Sequence, residues 1–130
     1  MDDVMDPTFV ILSNGLCVAN HSSPHAFMFE DNSILRACSD ERAQALKLSD
    51  EDVEVPNKGG WIDVQKKFIL NDTIRQSIDE LQRDETIQII LVALPVLLAL
   101  KDAGVPIGKA RTLYMVDRVS KKVSISKFCC

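Results

Sequence analysis

Ile87-Gln88-Ile89-Ile90-Leu91-Val92-Ala93-Leu94-Pro95-Val96-Leu97-Leu98-Ala99-Leu100-Lys101-Asp102-Ala103-Gly104 is the stretch on which the fold turns. Apart from Gln88, residues 87–92 are aliphatic and mostly β-branched, the composition of a strand buried on both faces. From Leu94 the apolar run continues past strand length, with Pro95 where a first helical turn tolerates it and Gly104 where a helix stops. The reading is a buried strand over 87–92 feeding a helix over 94–103. Residues 89–100 carry no polar side chain, but a bilayer requires about 20 apolar residues and Pro95 interrupts the run. The segment is expected to be the hydrophobic centre of a folded domain, and no membrane partner is expected.

Outward from this centre, Val105 to Lys109 reads as a Pro-Gly connector. Thr112 to Arg118 and Lys122 to Phe128 alternate as a closing hairpin across Val119-Ser120-Lys121. On the other side, Ile74, Ile78 and Leu81 fall on one helical stripe behind Asn71 or Asp72 as cap, and Trp61 to Leu70 suits a strand with one buried face. Ser49 to Gly60 is acidic and ends in a glycine pair, which predicts a long loop. Ser39 caps a short helix over 40–47. The first third reads as a β-meander: Thr8 to Leu12, the turn Ser13-Asn14-Gly15, Leu16 to Ala19, Ala26 to Glu30 and Ile34 to Arg36. The expected class is α+β: a mixed, mainly antiparallel sheet with an N-terminal β-meander, two to three helices and a C-terminal β-hairpin. One domain over 1–130 is expected, with residues 1–7 as a flexible tail.

With 46% hydrophobic and 26% charged residues the 130-residue chain has ordinary globular composition. Its acidic start lacks the basic and apolar parts of a secretory leader, which predicts a cytoplasmic protein. The four cysteines, at 17, 38, 129 and 130, lack zinc-ligand spacing and are expected to be free thiols. Net charge is −4, yet residues 105–130 hold six basic side chains against Asp117 alone, while residues 1–104 hold nine basic against eighteen acidic. An acidic chain of this kind is a poor partner for duplex nucleic acid, and the basic tail suits a small anion.

The only histidines, His21 and His25, are four apart, but Pro24 precludes the helix that a metal pair at that spacing uses, so no metal site is expected. His25 fixes the turn by hydrogen bonds, or is a ligand contact, or a general base with Cys17, Ser22 and Ser23 close in sequence. Nothing matches a nucleophile elbow or a phosphate-binding glycine loop. Lys109 and Arg111 lie two residues apart on one strand face with Arg118 further along, and a guanidinium grips phosphate or carboxylate with two parallel hydrogen bonds. The candidate ligand-binding residues are therefore His25, Lys109, Arg111 and Arg118, with no catalytic residue and no cofactor assigned.

The segment Val18-Ala19-Asn20-His21-Ser22-Ser23-Pro24-His25-Ala26-Phe27 resembles a set of small, largely uncharacterised phage and fungal proteins whose first strands end in an Asn-x-Thr-Pro-His type motif. The apolar strand and helix of 87–100 and the pair Lys127-Phe128 are similar to later parts of those proteins. His21 stands where they have Asn, and Ala93-Leu94 where they have Gly-Ser. More loosely, the chain looks like phage counter-defence proteins that act as sponges for nucleotide-derived immune signals. The resemblance implies a fold more than an activity; by analogy the chain is expected to bind an anionic, nucleotide-like molecule in the host cytoplasm without turning it over, and, as a domain that sequesters small ligands, to build its pocket between copies as a homo-oligomer. Two other functions stay open: a protein-binding inhibitor acting through an acidic surface, and a small hydrolase or transferase using His25.

Overall fold

The computed structural model describes residues 7–130; the expected tail, save Pro7, lies outside the described residues. The chain forms β1 (Thr8–Ile11), β2 (Cys17–Asn20), β3 (Phe27–Met28), β4 (Ile34–Leu35), α1 (Asp40–Ala45), β5 (Ser49–Pro56), β6 (Ile62–Ile69), α2 (Asp72–Arg83), β7 (Ile89–Leu91), α3 (Leu94–Asp102), β8 (Ala110–Asp117) and β9 (Lys122–Cys129). The class is α+β. A five-stranded sheet runs in the order β1-β2-β7-β8-β9, and β3–β4 and β5–β6 form two separate antiparallel ribbons. Within the main sheet β2, β7 and β8 are mutually parallel, and β1 and β9 flank them antiparallel.

Chain chemistry accounts for this order. Gly15 at φ 88 closes the β1–β2 hairpin, with the amide of Leu12 donating to the carbonyl of Leu16 at 2.8 Å. The parallel pairs require crossovers, which α2 and α3 supply. Asn71 caps α2 by accepting from the Ile74 amide at 2.8 Å, and Ile74, Ile78 and Leu81 form its buried stripe. In α3 Pro95 occupies the first turn, and Val96, Leu97, Ala99 and Leu100 are buried. Each large aliphatic side chain so buried contributes about 1.5 to 3 kcal/mol of transfer free energy.

Alternation along β7 divides the core. Ile90 and Val92 join Cys17, Ala19 and Ala110 beneath α2 and α3. Leu91 and Val18 face the other way, against Phe29, Leu35, Leu12 and Val123. The β3–β4 ribbon covers that second face, and Phe29 bridges to Val123 of β9. The four N-terminal strands thus follow one another as two hairpins, the second laid over the first sheet.

Residues 49–56 are not the expected loop. They form β5, paired along its length with β6, and the side chains of both strands stand exposed except for the half-buried Phe68. Cross-strand charge overrides the polar composition: Asp52 lies opposite Lys66 with a 2.6 Å ion pair, and Glu51 lies opposite Lys67. For the same reason the buried face expected for 61–70 is absent. Ile62 and Val64 are 57% and 56% exposed, because the ribbon stands off the sheet and meets the body at α3.

Candidate functional site

The carboxyl ends of parallel strands are where ligands gather in α/β sheets, and here β2 ends in buried polar residues. Asn20 and His21 are fully buried and Arg42 nearly so. The carboxamide of Asn20 donates to the carbonyls of Ser23 and Arg36 at 3.0 and 3.1 Å and accepts from the Ser23 amide at 2.8 Å. The amide of His21 donates to the Leu91 carbonyl at 3.0 Å, and Nε of Arg42 donates to the His21 carbonyl at 2.6 Å. Among the described residues no buried side-chain nitrogen or oxygen lacks a partner.

The imidazole of His21 lies 2.7 Å by Nε2 from Ser77 Oγ and 3.2 Å by Nδ1 from Ser22 Oγ. Ser77 commits its own proton to the Ile74 carbonyl at 2.7 Å, so Nε2 carries the hydrogen and Nδ1 accepts from Ser22. This is the order of nucleophile, base and orienting group found in acyl-transfer sites. Its electrostatics oppose that chemistry. Burial and the nearby Arg42 guanidinium pull the imidazole down to about 3, so a proton taken from Ser22 would create a buried cation beside a cation. The orienting group is a neutral hydroxyl, not a carboxylate. His21 is therefore a neutral tie joining β2 to α2.

A groove runs along α3 beneath β6. One part of it, about 630 Å³, is lined by the apolar Val53, Phe68, Leu98 and Ala99, by Lys66, Lys67 and Lys101, and by Gln65 and Asp102. A second cleft of about 260 Å³ opens by the first turn of α3, where Ser22, Leu46, Lys47, Ala93 and Val96 surround it. A third, of about 280 Å³, adds Ile69, Leu70 and Glu51. The first and third share Lys67, Phe68, Ala99 and Asp102 and lie side by side along α3, and Phe68 also borders the second. Asp52 raises the Lys66 ammonium by accepting its hydrogen bond, whereas Lys67 and Lys101 make no ion pair among the described residues. The groove thus offers a half-buried aromatic ring, aliphatic walls and uncommitted ammonium groups.

The residues singled out from the sequence do not converge. Lys109 donates from Nζ to the Asp84 carbonyl at 2.9 Å, and Arg111 donates from Nη1 to the carbonyls of Gly108 and Ala110 at 2.8 and 2.7 Å. Arg118 lies past the far end of β8, on the order of 20 Å from Arg111 at about 3.3 Å per strand residue. His25 is exposed in the loop after β2, its amide donating to Ser23 Oγ at 3.2 Å. None of the four lines the groove. Cys17 is buried against the helices, and burial, then the charge of Asp84, pushes its thiol up and away from thiolate chemistry.

Sequence reasoning passed over Lys67, Phe68 and Lys101. The signal that finds them is the charge complementarity between 50–54 and 66–67, which announces a ribbon and hence a wall over α3. Among the described residues no group of three or more histidines, cysteines or carboxylates is placed to hold a metal, and no helix is long and apolar enough to cross a membrane. Set against known protein families, curated proteins and solved structures, the chain finds no match in any of the three comparisons.

Proposed function

We propose that the chain is a non-catalytic binding protein that holds a small anionic, nucleotide-like molecule in the groove along α3. The observation that carries this reading is the groove's composition. A volume of about 630 Å³ falls within the roughly 300–1,000 Å³ of small-molecule sites, with Phe68 and Leu98 for a flat ring and Lys67 and Lys101 for the anion. Two charge-assisted contacts of about 1.5 to 3 kcal/mol each, added to apolar contact, suffice for micromolar affinity. The low basicity of His21 supports retention over turnover. On this reading the protein works as a sponge for a nucleotide-derived immune signal in a cytoplasm, that of the host if it is phage-encoded.

The test is calorimetric titration with cyclic dinucleotides, cyclic ADP-ribose isomers and mononucleotides, followed by chromatography of the recovered ligand. One of these is expected to bind below about 100 μM and return unchanged, and Lys101→Glu is expected to weaken it roughly tenfold or more. A loss caused by Arg111→Ala and not by Lys101→Glu would move the site to the C-terminal hairpin. A cleaved product would support the hydrolase reading, with Ser22 and His21 in place of His25. Absence of binding by every probe would leave the inhibitor reading, for which the acidic strand β5 is the candidate surface.

A further inference from the structure

Asp102 stands where the fold gains nothing from it. It is the last residue of α3, in the turn where the helix dipole favours cations and disfavours a carboxylate. It is exposed, and among the described residues it makes no hydrogen bond and no ion pair. Yet it lines both the cleft of about 630 Å³ and the cleft of about 280 Å³ beside it, in the company of Lys67 and Phe68. A carboxylate among the ammonium groups weakens a site for a bare anion, because like charges repel at that range. It strengthens a site for an anion that carries hydroxyl groups, because an ionised carboxylate accepts their hydrogen bonds.

We propose, on the reading that the groove holds a nucleotide-like anion, that Asp102 accepts from the 2′-hydroxyl of a ribose and so makes the site selective for ribonucleotides. Charge along the groove sets the orientation. The first cleft holds Lys66, Lys67 and Lys101 against Asp102, whereas the third holds Lys67 against Glu51 and Asp102. The phosphate therefore lies by Lys67 and Lys101 in the first, and the sugar turns its hydroxyls toward the border with the third. Helix spacing agrees with this placement. Leu98 and Asp102 are one turn apart on the same face of α3, their side chains on the order of 6 Å apart, so a base packed on Leu98 and Phe68 brings its own sugar to the carboxylate. A carboxylate on the ribose 2′-hydroxyl is also how dinucleotide-binding folds hold that sugar.

The test is calorimetric titration of the full chain with the 5′-monophosphates of adenosine, guanosine and cytidine, with cyclic di-adenosine monophosphate, and with the 2′-deoxy counterpart of each. The ribonucleotides that bind are expected to do so about tenfold or more tightly than their deoxy counterparts. Asp102→Asn is expected to bring each pair within about twofold, mainly by weakening the ribonucleotide. Its melting temperature is expected to be unchanged or raised, since the substitution removes a negative charge from the end of α3. Equal affinities within each pair, or a preference that survives Asp102→Asn, would sink ribose selection while leaving the groove in place wherever Lys101→Glu still weakens binding. Binding by none of these probes, or binding indifferent to Lys101→Glu, would remove the groove reading and ribose selection with it.

Discussion

At the scale of single residues, the free energy held at His21 depends on pH. Its folded value of about 3 lies below the ordinary 6.5, so the unfolded chain binds the proton more readily than the folded one. The stabilisation is complete above about pH 6.5 and is lost as pH falls from there toward 3, at about 1.4 kcal/mol per unit once the unfolded imidazole is charged. Denaturant unfolding at pH 7 and pH 5 is expected to differ by roughly 2 kcal/mol, and His21→Gln is expected to remove most of that difference. Ser77→Ala leaves the buried Nε2–H without its acceptor and is expected to destabilise by about 1 to 3 kcal/mol in the same assay. Little of this was legible in the sequence. His25, beside Pro24, looked the more chemical of the two histidines, yet it is exposed and His21 is buried. The groups that set the character of His21, Arg42 and Ser77, lie 21 and 56 residues away and join it only when α1 and α2 dock on the sheet.

At the scale of elements, one side chain fastens the connector between α3 and β8. Gln82 on α2 donates from Nε2 to the Ile107 carbonyl at 2.8 Å and accepts from the Lys109 amide at 2.9 Å through Oε1. Between those two residues Gly108 sits at φ 54, and a Cβ there would fall 2.5 Å from Gln82 Oε1. Gly108→Ala therefore meets left-handed strain of about 1 to 2 kcal/mol and also displaces the amide that holds the connector. A loss of roughly 2 to 4 kcal/mol in denaturant unfolding is expected, and Gln82→Ala is expected to reproduce only the hydrogen-bond part of it. Lys109 and Arg111 belong to this clamp region, each bonded to backbone carbonyls. A count of basic residues cannot distinguish an ammonium that serves its own chain from one that faces a cleft. Strand β5 was illegible for a related reason. Its side chains all stand exposed and its alternation is only Val53 and Val55 among carboxylates, too short to outweigh the acidic composition, so pairing with β6 gives it structure.

At the scale of the whole molecule, the two core clusters are built without the ribbon, which meets the body mainly through α3. Replacing residues 50–68 by a short Gly-Ser turn is expected to leave a cooperatively folding protein, since Ser49 and Ile69 already lie opposite each other. The shortened chain is expected to lose ligand binding by calorimetry. Retained ligand affinity would place the site off the groove. The central strand β7, helices α2 and α3 and the closing hairpin were determined by the sequence alone, because α2 and the hairpin write a buried face as a local period and β7 and α3 form one continuous apolar run punctuated by Pro95 and Gly104. Tertiary structure alone decided that β2, β7 and β8 run parallel, that His21 is a neutral tie, that Lys109 and Arg111 bond backbone carbonyls, and that β5–β6 roofs a groove over α3. Each of these depends on contacts between residues far apart in the chain, and a one-dimensional pattern carries no record of which distant groups will share a face.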